Sequence, residues 1–407
     1  MRVLVITDLY PPVAFGGYER SCAAVVEGLR ERHEVAVLTS DLRRHDVPAQ
    51  TGVRRELTYL GPARRHALRV PLAAAHAATA TRRLLADERP DIVYVWNCLN
   101  ASQVAPFAAL QAGVPVAYRL SELWFASSLY RGDRFVGHLL PGRSGLHRPW
   151  AWLVRAVNRH PALRLDPSRP VPAAISWGSE DLRARATLPP AVAPVLERVN
   201  HPGVSGPFLG LERLPMGRNT IVYAGRVTAA KGAEVAVRAL AALRDSHAIE
   251  ARLVLAGPCA PAMARALRRL ARALGVADQV EIPGSLDPPV LARLLQRASV
   301  VVVPTVTHEV FGRVCVEAAL ARVPVVAARL GGIPEALRHE EHALLFEPGD
   351  AAACAAALAA ALTDPAAADA RAARAFAHVQ RFSAEHFVAA EESFLEAAVD
   401  VLAKAAA

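Results

Sequence analysis

Thr220-Ile221-Val222-Tyr223-Ala224-Gly225-Arg226-Val227-Thr228-Ala229-Ala230-Lys231-Gly232 is the stretch that decides the fold. An apolar run of strand length enters a turn carrying glycine and two cations, and helical spacing follows. The end of a buried strand is where ligands enter open α/β sheets. Arg226 offers a planar fork for phosphate oxygens and Lys231 a compact point charge, and N–H groups at the helix start aim the same way. The competing reading is a solvated basic turn. The chain holds only two lysines, Lys231 and Lys404, and one of them falls here, which favours a phosphate grip.

Working outward, the same strand-then-helix rhythm repeats at Arg252–Gly257, Val280–Pro283, Val300–Pro304, Pro324–Ala328 and Leu344–Phe346. It repeats toward the N-terminus at Val3–Thr7, Val35–Leu38, Asp91–Val95, Val114–Leu120 and Ala173–Ser176. Alternating strands and helices predict parallel sheets covered on both faces. With 407 residues the chain exceeds one core, so two doubly wound α/β domains of Rossmann-like type are expected to face a central cleft. The boundaries are set at 1–205, 206–380 and 381–407, with the linker in the Pro/Gly-rich passage Pro189–Gly217. The stretch Trp124–Pro172 breaks the pattern and fits no regular element. The final segment carries an apolar stripe, Phe387, Ala390, Phe394, Ala397 and Val401, that needs a surface to cover.

A formal charge of +9 raises the question of nucleic acid, yet the arginines are dispersed and no nucleic-acid-binding motif accompanies them. Nucleic acid is therefore not expected as a partner. The five cysteines are odd in number and widely spaced, without metal-site spacing. Met1–Thr7 is too short for a secretory signal. Both points predict a cytoplasmic chain. Ile92–Tyr118 lacks charges but holds Asn97, Asn100, Pro106 and Pro115, which fits strand, helix and strand better than a membrane span.

A second constellation runs Glu309-Val310-Phe311-Gly312-Arg313-Val314-Cys315-Val316-Glu317, just past the strand ending at Pro304. Gly312 permits close backbone approach, and the N–H groups of residues 312–314 would be the open donors of a helix's first turn. Eight residues separate the glutamates, close to two helical turns, so with a helix beginning near Phe311 they would lie near one line. The structural alternative is a helix-start carboxylate and a surface ion pair. Gly16-Gly17, between the first strand and first helix, is a third and less specific phosphate-approach turn.

In order and with their flanking elements, these pieces resemble the family-4 glycosyltransferases of the GT-B fold, over nearly the whole chain. The resemblance is carried by Gly16-Gly17-Tyr18-Glu19, Gly225-Arg226…Lys231-Gly232, Leu255-Ala256-Gly257-Pro258 and Pro283-Gly284-Ser285-Leu286, then by Glu309…Phe311-Gly312…Glu317-Ala318 and Gly331-Gly332-Ile333-Pro334-Glu335. It implies a retaining transferase that takes a nucleotide-sugar donor and a hydroxyl acceptor. Arg226 and Lys231 would bind the donor diphosphate, Glu309 the transferred sugar, Glu317 the ribose, and backbone near Leu286 the base. Gly16, Gly17, Gly257, Phe311, Gly312, Arg313 and Val314 complete the expected donor contacts. The last helix would cross back to the first domain.

No carboxylate pair is spaced to hold Mg²⁺, and no metal or other cofactor is expected. Ser121-Glu122-Leu123-Trp124 stands where many relatives carry His-Asp before an aromatic residue. Glu122 is either a replacement that orients an acceptor hydroxyl or a structural carboxylate. Rival readings are a nucleotide-sugar epimerase or hydrolase on the same architecture, and a catalytically silent partner protein. Arg64, Arg65, Arg69, Arg82 and Arg83 flank apolar residues and suggest a peripheral seat at the inner face of a membrane. The alternative for them is a solvated helix.

Overall fold

The computed structural model describes residues 1–13, 16–43, 46–61, 69–101, 103–122, 135–139, 148–160, 163–166, 169–189, 191–204, 214 and 219–406. The chain divides into two units, Met1–His201 with Glu385–Ala407, and Pro202–Ala384. These bounds lie a few residues from those expected. Val204 bridges to Ser383, and its N–H donates to the Phe382 carbonyl at 2.9 Å, which ties both flanks of the boundary into the second unit.

The first unit contains β1 (Arg2–Thr7), β2 (Glu34–Ser40), β3 (Val53–Leu57), β4 (Ile92–Asn97), β5 (Val116–Leu120), β6 (Val171–Trp177) and β7 (Val192–Val199). They form one parallel sheet in the order β3-β2-β1-β4-β5-β6-β7, with Val3 opposite Val35 on one side and Ile92 on the other. The central strands were legible as apolar runs because helices cover both faces. The two strands missing from the sequence reading, β3 and β7, are the sheet's edges. Both are only partly buried, and β7 lies inside the expected linker with Pro194 in it. An edge strand buries little and tolerates proline, so neither produces an apolar run. Within Trp124–Pro172, a helix at Arg148–Asn158 is described, while residues 123–134 and 140–147 lie outside the described residues.

The helix Ala384–Ala406 packs on this sheet, with Phe387, Phe394, Leu395, Ala398 and Leu402 joining Val5, Tyr94 and Trp96 in one core. The stripe is rotated from the expected one. Ala390, Ala397 and Val401 are only half-buried, and the fully buried positions include Glu391. Glu391 ion-pairs with Arg119 at 2.9 Å, both side chains without solvent exposure. Tyr94 and Ser176 donate to the same carboxylate at 2.6 and 2.8 Å, and the Arg119 guanidinium donates to Ser176 Oγ at 2.9 Å. The amphipathic pattern could not show this, because the charge that anchors the helix sits on its apolar face.

Of the arginines suggested for a membrane contact, Arg69 and Arg83 are exposed at and on the helix Val70–Glu88. Arg82 donates to the Leu163 carbonyl at 3.1 Å and Arg83 pairs with Glu56, while Arg64 and Arg65 lie outside the described residues. Among the described residues no single helix is long and apolar enough to cross a membrane.

The second unit contains β8 (Thr220–Ala224), β9 (Arg252–Ala256), β10 (Val280–Gly284), β11 (Val300–Val303), β12 (Val325–Ala328) and β13 (Leu344–Phe346). All pair in parallel in the order β10-β9-β8-β11-β12-β13. The strand order reverses between β8 and β11, which places the switch point of the sheet beside the Gly225–Gly232 turn. The helices Ala233–His247 and Ala351–Thr363 cover one face, and Arg313–Leu320 with Pro365–Val379 the other.

Candidate active site

β8 is buried along its whole length and is followed by Gly225, whose φ of 128° only glycine adopts freely. Gly225 N–H donates to the Ala256 carbonyl at 2.9 Å, and Gly257 N–H to the Gly284 carbonyl at 2.8 Å, so the ends of β8, β9 and β10 stay aligned. A Cβ on Gly257 would lie 1.8 Å from the Gly225 carbonyl oxygen. Gly257 is thus a packing requirement of the turn rather than a cavity wall.

The turn that follows is held from outside. Tyr223 donates its hydroxyl to the Arg226 carbonyl at 2.6 Å, and burial raises its phenol well above the usual range, so it remains a donor. The Ala230 carbonyl accepts from Val306 N–H at 3.1 Å, Thr307 N–H at 3.2 Å, Thr305 Oγ1 at 3.3 Å and Thr307 Oγ1 at 3.2 Å. Residues 305–307 belong to the loop that leads to Glu309, so this one carbonyl joins the loops carrying Lys231 and Glu309. The sequence reading passed over Thr305, Thr307 and Tyr223. A threonine pair directly beyond the apolar strand end at Pro304 was the available signal.

A third loop supports Glu309 from behind. Gly332 N–H donates to the Glu309 carbonyl at 2.9 Å. Cβ atoms on Gly331 and Gly332 would meet the Glu309 and Val310 carbonyl oxygens at 1.9 and 2.0 Å. The Gly331-Gly332 pair in the sequence therefore marks where two backbones touch.

These loops enclose a cavity of about 130 Å³ lined by Tyr223, Arg226, Lys231, Thr305, Glu309, Gly312, Arg313 and Val314, among others. Lys231 Nζ and the Glu309 carboxylate form an ion pair inside it, with side chains 30 % and 21 % exposed. Arg226 is exposed and pairs with no carboxylate among the described residues. Gly312, at φ 75°, opens the helix Arg313–Leu320, so the first-turn N–H groups of that helix begin at the cavity wall. Three cations, one carboxylate and a helix start suit a ligand that carries a dianion beside hydroxyl groups.

Other expected residues are placed elsewhere. Phe311 turns its ring into the core against Phe382, with centroids 4.9 Å apart, so its side chain is not open to a ligand. Glu317 is half-buried one helical turn beyond the cavity-lining residues, and Leu286 is half-buried on the loop after β10. Gly16, Gly17 and Glu122 belong to the first unit and are exposed. Glu19 accepts from the Gly16 N–H at 2.9 Å at the start of the helix Gly17–Arg30.

One buried acid in the first unit went unnoticed in the sequence. Asp8, at the C-terminal end of β1, accepts from Asn100 N–H at 2.8 Å, Asn100 Nδ2 at 3.1 Å and Ala101 N–H at 2.7 Å. Burial pushes its carboxyl up to about 7, against the pull of these donors.

Residues 212–378 match the glycosyl transferases group 1 family, and residues 16–177 match the glycosyl transferase 4-like domain. The D-inositol 3-phosphate glycosyltransferase of Acidothermus cellulolyticus is 35 % identical over 214 residues, covering 51 % of this chain and 46 % of that protein. Its Streptomyces griseus counterpart is 33 % identical over 231 residues, covering 55 % and 44 %. The chain thus spans about half the length of these curated relatives. Among solved structures, sucrose-phosphate synthase from Thermosynechococcus elongatus aligns over 97 % of this chain and 98 % of its own with a TM-score of 0.71 at 20 % identity. Anabaena HepE, in complex with UDP and glucose, aligns over 98 % of this chain and 100 % of its own with a TM-score of 0.66 at 20 % identity. At such identity the likeness is one of fold.

Proposed function

Because the chain belongs to the group 1 glycosyltransferases, we propose that it transfers a sugar from a nucleoside-diphosphate donor to a hydroxyl acceptor, with retention of the anomeric configuration and without a metal ion. The observation that carries this reading is the cavity at the β8–β11 switch point, where Arg226, Lys231 and Arg313 meet Glu309. The bond between the sugar's anomeric carbon and the diphosphate oxygen breaks, and charge accumulates on the leaving diphosphate. Arg226, Lys231 and the N–H groups after Gly312 supply positive potential where that charge develops. The acceptor oxygen forms the new bond on the same face, and its proton passes to the departing phosphate oxygen. In this role Lys231 exchanges its pairing with Glu309 for the diphosphate, which frees the carboxylate to accept from sugar hydroxyls.

UDP-glucose is the first donor to test, because HepE has been solved with it. Transfer is expected to be undiminished by EDTA, and NMR of the product to show the donor's anomeric configuration. Loss of activity with EDTA would remove the metal-free reading, and an inverted product would remove retention. Free UDP or an isomerised sugar formed without any acceptor would instead support a hydrolase or epimerase. Five free cysteines, four of them buried, fit a reducing compartment, and on that ground we place the chain in the cytoplasm.

The threonine clamp gives a sharper test. Replacing Thr305 and Thr307 together with valine removes the Thr307 hydroxyl from the Ala230 carbonyl and the Thr305 hydroxyl, which is shared between the Ala230 and Thr307 carbonyls at 3.3 and 3.1 Å, and so loosens the lysine turn from the glutamate loop. At about 1 kcal/mol per hydrogen bond, UDP affinity is expected to fall roughly tenfold or more. The double serine variant is expected to bind as the parent does. Calorimetric titration of the three proteins reads this directly, and equal affinity in the valine variant would show that the clamp is not needed.

A further inference from the structure

The first sheet reverses its strand order between β1 and β4, so its ligand crevice opens beside the loops that follow those two strands. Asp8 directly follows β1. Its carboxyl accepts from Asn100 N–H, Ala101 N–H and Asn100 Nδ2, all on the loop after β4. Its backbone reaches the neighbouring strand ends as well. Asp8 N–H donates to the Asn97 carbonyl at 2.6 Å, and the Asp8 carbonyl accepts from Ser40 N–H and Thr39 Oγ1, each at 3.2 Å. Leu60 N–H, on the loop after β3, donates to the Asn100 carbonyl at 2.9 Å. One residue thus ties the ends of β1, β2 and β4 together. In the second unit the Ala230 carbonyl joins the loops on either side of the switch point, and a carbonyl does not titrate. In the first unit an acid holds that place.

The acid lies in a dry site without a counter-charge. Asp8 is 3 % exposed and has no ion pair among the described residues. Glu19 faces it from the helix Gly17–Arg30, and the Tyr59 phenol from the loop after β3. Asp41 stands one residue past the Ser40 N–H that the Asp8 carbonyl accepts from. All three are acidic groups, so none offsets a charge on Asp8. Burial therefore outweighs the three donors, and the carboxyl titrates at about 7. Opening the loop wets the carboxyl and returns it toward an ordinary value of about 4. The closed loop binds the proton more tightly than the open one. By linkage, closure is strongest in acid, weakens as pH rises from about 4, and levels off above about 7.

We propose that Asp8 is a proton-operated latch: its neutral carboxyl keeps the Asn97–Ala101 loop fastened at the crevice of the first unit, and ionisation lets the loop open. Assigning that crevice to the acceptor rests on the transferase reading, whereas the latch is measured without donor or acceptor. A failed latch would therefore leave that reading standing, and the converse also holds.

Hydrogen–deuterium exchange of the full chain, followed by mass spectrometry from pH 5 to 9 and corrected for the intrinsic pH dependence of exchange, tests the latch. Opening in peptides covering residues 97–101 is expected to rise about tenfold between pH 6 and pH 8 and then to level off. Peptides covering the Gly225–Gly232 turn are expected to show no such rise. Asp8→Asn keeps the side chain's size without a titrating group and is expected to give a flat profile. Glu19→Gln removes the nearby negative charge and is expected to bring the levelling-off to lower pH. This second variant and the parent's own profile carry the test if Asp8→Asn does not fold. The proposal is overturned if opening in the parent is independent of pH or falls as pH rises, or if Asp8→Asn keeps the parent's rise.

Discussion

Lys231→Ala is expected to lower kcat for sugar transfer about 10²–10³-fold, the range found when one preorganised donor to a developing anion is removed. The loss has two parts. The substitution removes a point charge from a partly enclosed cavity where the leaving diphosphate becomes more negative. It also leaves Glu309 without its partner, so that a carboxylate faces the phosphate oxygens it was shielded from. Lys231→Arg is not expected to restore the rate fully, because a planar fork does not reproduce a compact point charge at the position of the ammonium. Gly232 has no room to move, since a Cβ there would lie 1.7 Å from the Pro304 carbonyl oxygen. Steady-state kinetics on the three proteins check this, and a loss below about tenfold would place the leaving-group charge elsewhere.

Glu391→Ala is expected to destabilise the first unit by about 3–5 kcal/mol, because it leaves the Arg119 guanidinium buried without a counter-charge. Two of its nitrogens, Nε and Nη2, already lack a hydrogen-bond partner in the structure. Replacing both partners, with Arg119→Met and Glu391→Leu, is expected to recover most of that loss, as an apolar pair needs no compensation. All five tryptophans lie in the first unit, at 96, 124, 150, 152 and 177, so their fluorescence during urea unfolding follows this unit selectively. Nucleotide binding in the second unit is expected to persist in both variants. If Glu391→Ala unfolds at the parent's midpoint, the pair does not anchor the last helix.

What the sequence disclosed follows from how each feature is buried. β1, β4 and β8 are covered on both faces and so appear as unbroken apolar runs. β3, with two arginines among its five residues, and β7, with Pro194, are edges and resemble loops. The cations and glutamate of the donor site were visible because unusual residues sit at a strand end: a scarce lysine, and a glycine before a helix. The Thr305–Thr307 clamp was not visible, because its partner is a backbone carbonyl, which has no signature in composition. Nor was the Arg119–Glu391 pair, since the two residues lie far apart in the chain and Glu391 is not part of the apolar stripe read from the sequence. Gly331 and Gly332 were noticed by resemblance, and the structure supplies the reason: each hydrogen faces a carbonyl of the glutamate loop.

The central claim is that the turn after β8 grips a nucleoside diphosphate. Calorimetric titration of UDP, GDP, ADP and TDP into the parent protein and Arg226→Ala tests it most directly. The account predicts saturable binding of one nucleotide by the parent and at least a tenfold loss in the variant, about one charge-assisted hydrogen bond or more. Binding that Arg226→Ala leaves unchanged, or no binding of any nucleotide to the parent, would contradict it.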